Sequence, residues 1–357
     1  MATNELNILS LDSGGIRSLS TLHILKALME SIDPTNPPKP CDFFDMIGGT
    51  GSGGLLAIML GRLKMDVDQV ITGYTRLCGH VFKRDNRGVF GRLGGGLGVG
   101  RRGRKKRRFE RRKVEFALKS ILKELGHSGE ERDLLLQDVD LSCRVFICVT
   151  DTSTNKLIPL SSYPSKYCPS ELYKSTKIWE AGVASFAHTS LFEPIPLGPS
   201  RRRYADASAQ ANNPIREAWI EAKNVWKLTS LEHQLRCLVS IGTGLPTIQR
   251  ASQTKPGVFG SLSSATRDKV ASSAVIDPEI EADKFVQEHS ELDDDGRLFR
   301  FDVPNGLGDI ALDDLDEVDT VVDATKVYLG KELVYKQVRR CAAALARPGD
   351  SEVGFRR

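Results

Sequence analysis

The sequence predicts an α/β fold: a mainly parallel central sheet with helices on both faces. Three observations predict it. Short apolar runs rich in β-formers recur at Leu6–Leu11, 144–150 and 236–240, and unbroken apolar runs mark strands buried on both faces. Longer stretches with apolar residues at helical spacing separate them, so strands and helices alternate along the chain. At residues 12–18 and 48–54 a strand passes directly into a helix through small residues.

Taken in order, the first strand is followed by a tight glycine loop over 12–17. A helix over 19–32 comes next, with Ser18 as its N-cap and Leu22, Leu25, Ala27, Leu28 and Ile32 forming its stripe. The proline-rich segment 33–40 cannot continue a helix. A short strand, a turn of small residues and a helix ending near Gly61 occupy 44–61, and 67–82 reads as another helix. Helix resumes over 114–125, strands are expected at 144–150 and 157–160, and a helix at 176–186. Tyr204-Ala205-Asp206 ends a strand, and Pro214 opens a helix to Trp226. The run 236–240 is a buried strand, 249–264 reads as loop, 297–303 as strand, and 321–345 as one final amphipathic helix. No internal repeat and no second-domain boundary is evident. Residues 1–347 are therefore read as one domain with an insertion at 83–113, followed by a tail at 348–357.

Composition narrows the class further. A hydrophobic content of 40% over 357 residues supports a large core. Seven cysteines, an odd number with no CxxC pair, argue against a disulfide framework and a zinc site and fit a reducing compartment. The N-terminus lacks the basic and apolar regions of a signal peptide, and no window of 18 apolar residues exists. The expected location is the cytoplasm, with any lipid met from the water side.

The net charge of +4 is unevenly spread. Segment 83–113 holds 14 Lys/Arg against Asp85 and Glu110, a balance of +12, which leaves −8 on the rest of the chain. This Gly/Arg-rich, low-complexity stretch is expected to contact anionic membranes, each basic residue near the surface contributing about 1 kcal/mol. A solvated loop and a nuclear-localisation or nucleic-acid patch are the other readings; no nucleic-acid partner is expected.

The stretch Phe44-Asp45-Met46-Ile47-Gly48-Gly49-Thr50-Gly51-Ser52-Gly53-Gly54-Leu55 organises the chain. A strand that turns sharply into a helix through small residues is how a nucleophile elbow is built, and the helix start offers unpaired N–H groups to developing negative charge. A glycine-rich turn without chemistry, or one that holds phosphate, has the same local pattern.

Two further stretches accompany it: Ile8-Leu9-Ser10-Leu11-Asp12-Ser13-Gly14-Gly15-Ile16-Arg17-Ser18, and Tyr204-Ala205-Asp206-Ala207-Ser208-Ala209-Gln210-Ala211-Asn212-Asn213-Pro214. Together the three resemble the signatures of patatin-like lipid acyl hydrolases: a DGGGIRG loop, a GTSTGG elbow and a DGG/DGA segment followed by NNP, in that order. The resemblance continues at Val239-Ser240-Ile241-Gly242-Thr243-Gly244 and Leu298-Phe299-Arg300-Phe301. It covers roughly residues 6 to 345 and is greatest to the patatin domains of fungal proteins.

The resemblance implies a three-layer patatin-like fold and hydrolysis of acyl esters of membrane lipids, of phospholipase A or esterase type. It implies a Ser–Asp dyad with no metal and no cofactor. Asp206 matches the dyad aspartate. Gly14, Gly15 and Ile16 match the oxyanion loop, where glycine lets backbone N–H groups converge; Arg17 matches the family arginine. Gly49, Thr50, Gly51, Gly53 and Gly54 match the elbow. The six histidines, His188 among them, fall outside all three motifs and are read as structural or exposed. Ser13, Ser18, Ala207 and Ser208 depart from small or glycine positions of the pattern. The decisive departure is that a gapless alignment places Gly51 where the family has its serine, with Ser52 one residue later. Ser52 is therefore the provisional nucleophile, and a helix cap is its other reading. The alternative for the whole chain is a silenced patatin domain serving as a lipid-binding or signalling module.

Overall fold

The computed structural model describes residues 6–83, 109–127, 133–245 and 277–346. Most of the basic segment 83–113 and all of 249–264 lie outside them. Among the described residues, eight strands form one sheet: β1 (Leu6–Leu11), β2 (Met46–Thr50), β3 (Arg144–Asp151), β4 (Lys156–Ser161), β5 (Ile195–Leu197), β6 (Arg202–Asp206), β7 (Leu235–Ile241) and β8 (Leu298–Phe301). The order is β5-β6-β3-β2-β1-β7-β8, with β4 also on β3. Strands β3, β2, β1, β7 and β8 are parallel, and β4, β5 and β6 join antiparallel.

Helices cover both faces. Leu9, Leu11, Ile47, Val145, Ile147, Val239 and Phe301 point to one face. There they pack with α1 (Ser18–Ile32), α2 (Ser52–Ala57), α3 (Val67–Phe82), α4 (Arg111–Glu124), α5 (Ile178–Phe186), α8 (Val318–Leu329) and α9 (Glu332–Leu345). Ile8, Met46, Phe146, Cys148 and Leu238 point the other way, onto α6 (Ile215–Val225) and α7 (Pro278–Glu288). Alternate residues of one strand thus serve two cores, the two-sided burial that the unbroken apolar runs anticipate.

The differences from the expected elements have local causes. The final helix is two helices, because Gly330 ends α8 and Lys331 starts α9; the apolar stripe runs through the break, so periodicity alone does not show it. Ser18 is the first residue of α1 rather than its cap, and its hydroxyl bonds Ser52. Strand β5 has only three residues, too few to show a pattern. Helix α7 lies in the acidic stretch after Asp277, whose side chain caps it. All seven cysteines are buried free thiols. No helix among the described residues is long and apolar enough to cross a membrane.

Candidate active site

The site lies where three chain reversals meet. Strand β1 ends at Leu11, and β2 beside it ends at Thr50. Strand β4 occupies one edge of β3 from Phe146 to Asp151, so β2 and β6 share the other edge. Thr50 of β2 pairs with Cys148, and the next residue, Val149, pairs with Asp206 of β6. Asp206 therefore sits end-on to the elbow. It arrives there on an antiparallel strand, not on a parallel neighbour.

Gly51 makes the elbow. Its φ of 57° and ψ of −126° lie where a residue with a Cβ is strained, and strain of this kind collects at active sites. A Cβ built on Gly51 would stand 3.1 Å from Asp206 Oδ1. The elbow conformation thus aims residue 51 at the carboxylate. The glycines around it are there for close approach: a Cβ on Gly53 would lie 2.3 Å from Leu11 O, one on Gly49 2.3 Å from the backbone of Gly53, and one on Gly54 2.2 Å from Ser185 Oγ. Ser185, on α5, donates to Gly51 O at 2.7 Å and holds the turn. Thr50 is fully buried below it.

Ser52 points elsewhere. Its Oγ accepts from Gly14 N at 2.9 Å and Gly15 N at 2.8 Å, and lies 2.7 Å from Ser18 Oγ. The glycine loop does converge two N–H groups on one point, and a serine oxygen occupies that point. Tyr74 Oη donates to Gly15 O at 2.6 Å and braces the loop from α3. Ile16 does not share in this: its N–H donates to Leu312 O at 2.9 Å. Arg17 also acts on the loop rather than in the crevice, its Nε donating to Gly14 O at 3.3 Å and its Nη1 to Leu307 O at 3.4 Å. Burial lowers its guanidinium pKa, and Asp302 and Asp309 oppose the shift.

Asp206 is buried, and burial raises its pKa above the ordinary 3.8. Positive charge on His188 and hydrogen bonds from Ser208 pull the other way. Ser208 N donates to Oδ1 at 3.1 Å, and the Ser208 hydroxyl donates to Oδ2. A carboxylate raised this way is a better proton acceptor than an exposed one. Asn212 O accepts from Ser13 N at 3.1 Å, tying the NNP segment to the glycine loop.

The crevice is lined by Ser13, Gly51, Ser52, His188 and Asp206 on the polar side. Phe82, Phe186, Leu191, Phe192 and Leu312 form the apolar side. Phe82 stacks on Phe186 with centroids 5.6 Å apart, and Phe192 lies 5.8 Å from Phe186. Sequence reasoning missed this wall, His188, Tyr74 and Ser185, since each belongs to the site only through packing. Ser13, Ser18 and Ser208 were visible as departures from small positions, and all three hydroxyls stand around the site.

A strained strand–helix elbow, a two-amide cradle and a buried carboxylate thus meet at the ends of adjoining strands. Patatin-like phospholipase is the description of the family profile that matches residues 9–219, and the chain belongs to that family. It is 26% identical over 369 residues to Patatin-like phospholipase 1 of Plasmodium falciparum, covering 95% of this chain and 49% of the relative. It is 29% identical over 246 residues to Calcium-independent phospholipase A2-gamma of Rattus norvegicus, covering 67% of this chain and 28% of the relative. The cGAMP-activated phospholipase of Vibrio cholerae is 28% identical over 218 residues, covering 59% of this chain and 56% of the relative. The chain thus spans about half or less of the length of the curated relatives it matches.

Proposed function

We propose that the crevice binds an acyl-ester lipid and hydrolyses it, with a serine hydroxyl as nucleophile and Asp206 as general base. One observation carries this. The elbow aims its strained residue at a buried carboxylate beside a pair of converging N–H groups and an apolar wall. Ester hydrolysis needs those parts: a base, donors near the developing oxyanion and a place for the acyl chain. The family's printed activity, phospholipase, supports a lipid as substrate. Ser52 is the serine of the elbow itself. To attack as Asp206's partner, its Oγ must leave Gly14 N and Gly15 N and turn toward the carboxylate.

A second reading has its own observation. Gly51 carries no hydroxyl at the place facing Asp206. A silenced domain that binds acyl lipid without cleaving it fits that glycine. Release of fatty acid from phospholipid vesicles, and of nitrophenol from a short p-nitrophenyl ester, separates the two. Turnover that Asp206→Asn abolishes supports hydrolysis; vesicle binding without turnover supports the silenced domain. Contact of segment 83–113 with anionic membranes belongs to the same proposal. It is tested by sedimentation with vesicles that contain or lack phosphatidylserine, using the chain with and without residues 94–112.

A further inference from the structure

We infer that the hydroxyl placed to attack an acyl ester is that of Ser13, on the glycine loop, and that it stands where the family carries its elbow serine. The inference rests on the hydrolytic reading above and names the nucleophile of that same site.

The geometry around Gly51 is the first support. A Cβ on residue 51 would lie 2.1 Å from Ser13 Oγ, 2.8 Å from Ser13 Cβ and 3.1 Å from Asp206 Oδ1. Two non-bonded heavy atoms cannot share the first of those distances. The Ser13 oxygen therefore fills the space that a side chain at 51 would take, and it does so beside the Asp206 carboxylate. Serine at 13 and glycine at 51 are complementary. As placed, the Ser13 side chain leaves no room for one at position 51.

The state of Ser52 is the second support. A hydroxyl has one proton and two lone pairs. The N–H groups of Gly14 and Gly15 both donate to Ser52 Oγ, and Ser18 Oγ shares a further hydrogen bond with it at 2.7 Å. Ser52 Oγ is engaged by the loop amides and Ser18, and makes no hydrogen bond to Asp206. Ser52 thus fastens the glycine loop to the start of α2, and the Ser13 hydroxyl, which shares in none of those bonds, lines the crevice. Ser13 Oγ and Asp206 make no hydrogen bond in this structure; catalytic hydrogen bonds that are long without substrate often tighten when substrate binds.

The chemistry balances without a further reactant other than water. As Ser13 Oγ bonds to the acyl carbon, its proton passes to Asp206. The ester C–O bond then breaks, Asp206 returns the proton to the departing alkoxide, and an alcohol leaves with the acyl chain held as an ester on Ser13. Water attacks that ester, giving a proton to Asp206. The carboxylic acid departs, and the proton returns to Ser13 Oγ.

The test is where a serine-directed probe bonds. The full chain is treated with an alkyl fluorophosphonate, and the modified peptide is identified by mass spectrometry alongside ester turnover. The expected adduct is on Ser13, with labelling lost in Asp206→Asn. Ser13→Ala should lower turnover by on the order of 10³-fold or more. An exchange variant checks the shared place. Gly51→Ser alone brings two hydroxyl-bearing side chains into collision, whereas Gly51→Ser with Ser13→Gly relieves it and should move the adduct to position 51. Circular dichroism and thermal melts confirm that each variant folds. An adduct on Ser52 with turnover intact in Ser13→Ala overturns the inference while the hydrolytic reading stands. No adduct and no turnover in the unaltered chain overturn both.

Discussion

Two buried carboxylates flank the glycine loop, and their partners make them different. Asp12, at the end of β1, meets Arg300 Nη2 at 2.7 Å. The same guanidinium reaches Glu279 at 2.6 Å and Asp302 at 3.0 Å, and Nη1 donates to Ser240 Oγ at 2.9 Å. Asp206, across the elbow, has no guanidinium partner; it takes hydrogen bonds from the Ser208 amide and hydroxyl and from the Ala207 amide. Burial raises the pKa of both. A carboxylate locked into an ion network ties β1, β8 and α7 together. One held by neighbouring amide and hydroxyl donors makes no such tie between distant elements. The comparison teaches that burial does not decide the role; the partner does.

The largest effect that could break this contrast is at Asp206. Asp206→Asn should lower ester turnover by about 10²–10⁴-fold, the usual worth of a positioned general base. Stability should hold or rise slightly, because a buried charge with a raised pKa is removed. Steady-state kinetics beside urea denaturation reads both. A large stability loss with little kinetic loss would make Asp206 the structural member of the pair.

At Arg300 the opposite is expected. Arg300→Met leaves Asp12, Glu279 and Asp302 close together without their cation, and breaking a buried pair costs about 3–5 kcal/mol. The loss should be greater at pH 8 than at pH 5, because acid neutralises the stranded carboxyls. Denaturation at the two pH values checks it; equal losses would remove the electrostatic account.

The titration of Asp12 sharpens the comparison further. Desolvation pushes its pKa from 3.8 up to about 6, against the opposing pull of Arg300. The folded state therefore holds a proton that the unfolded chain has released between those values. This stabilising contribution is complete below the ordinary value and is lost as pH rises through about 6. At about 1.4 kcal/mol per unit, its amplitude is about 3 kcal/mol. Asp12→Asn should remove that portion of the stability–pH curve, and a curve of unchanged shape would refute the assignment.

For Asp206 the corresponding reading is kinetic. A base works only when deprotonated, so turnover should fall as pH drops through a pKa above the ordinary 3.8. Protonated His188 favours the carboxylate. His188→Gln should therefore move the acid limb of the pH–rate profile upward, and a limb that does not move would remove His188 from the account.

The smallest effect lies at Ser18. Ser18→Ala deletes one bond to Ser52, worth about 1 kcal/mol. It should loosen the glycine loop without removing turnover, as read by amide exchange at Gly14 and Gly15.

Much of this molecule was legible before its structure. The alternation of apolar strands and amphipathic helices depends on short-range periodicity, so the α/β class with a mainly parallel sheet follows from local pattern. The glycine loop, the elbow and Asp206 with its NNP tail were visible as motifs. Their glycines are needed where backbones nearly touch, as Gly53 does under Leu11 O. What stayed hidden depends on chain segments far apart in sequence. That β6 runs antiparallel yet continues the edge left by β2 is a matter of strand pairing. That Ile16 N–H belongs to Leu312 depends on the segment before α8. A one-dimensional alignment could say that residue 51 lacks a hydroxyl and residue 13 has gained one. Only the tertiary structure puts the second into the space of the first, because excluded volume acts between neighbours in space.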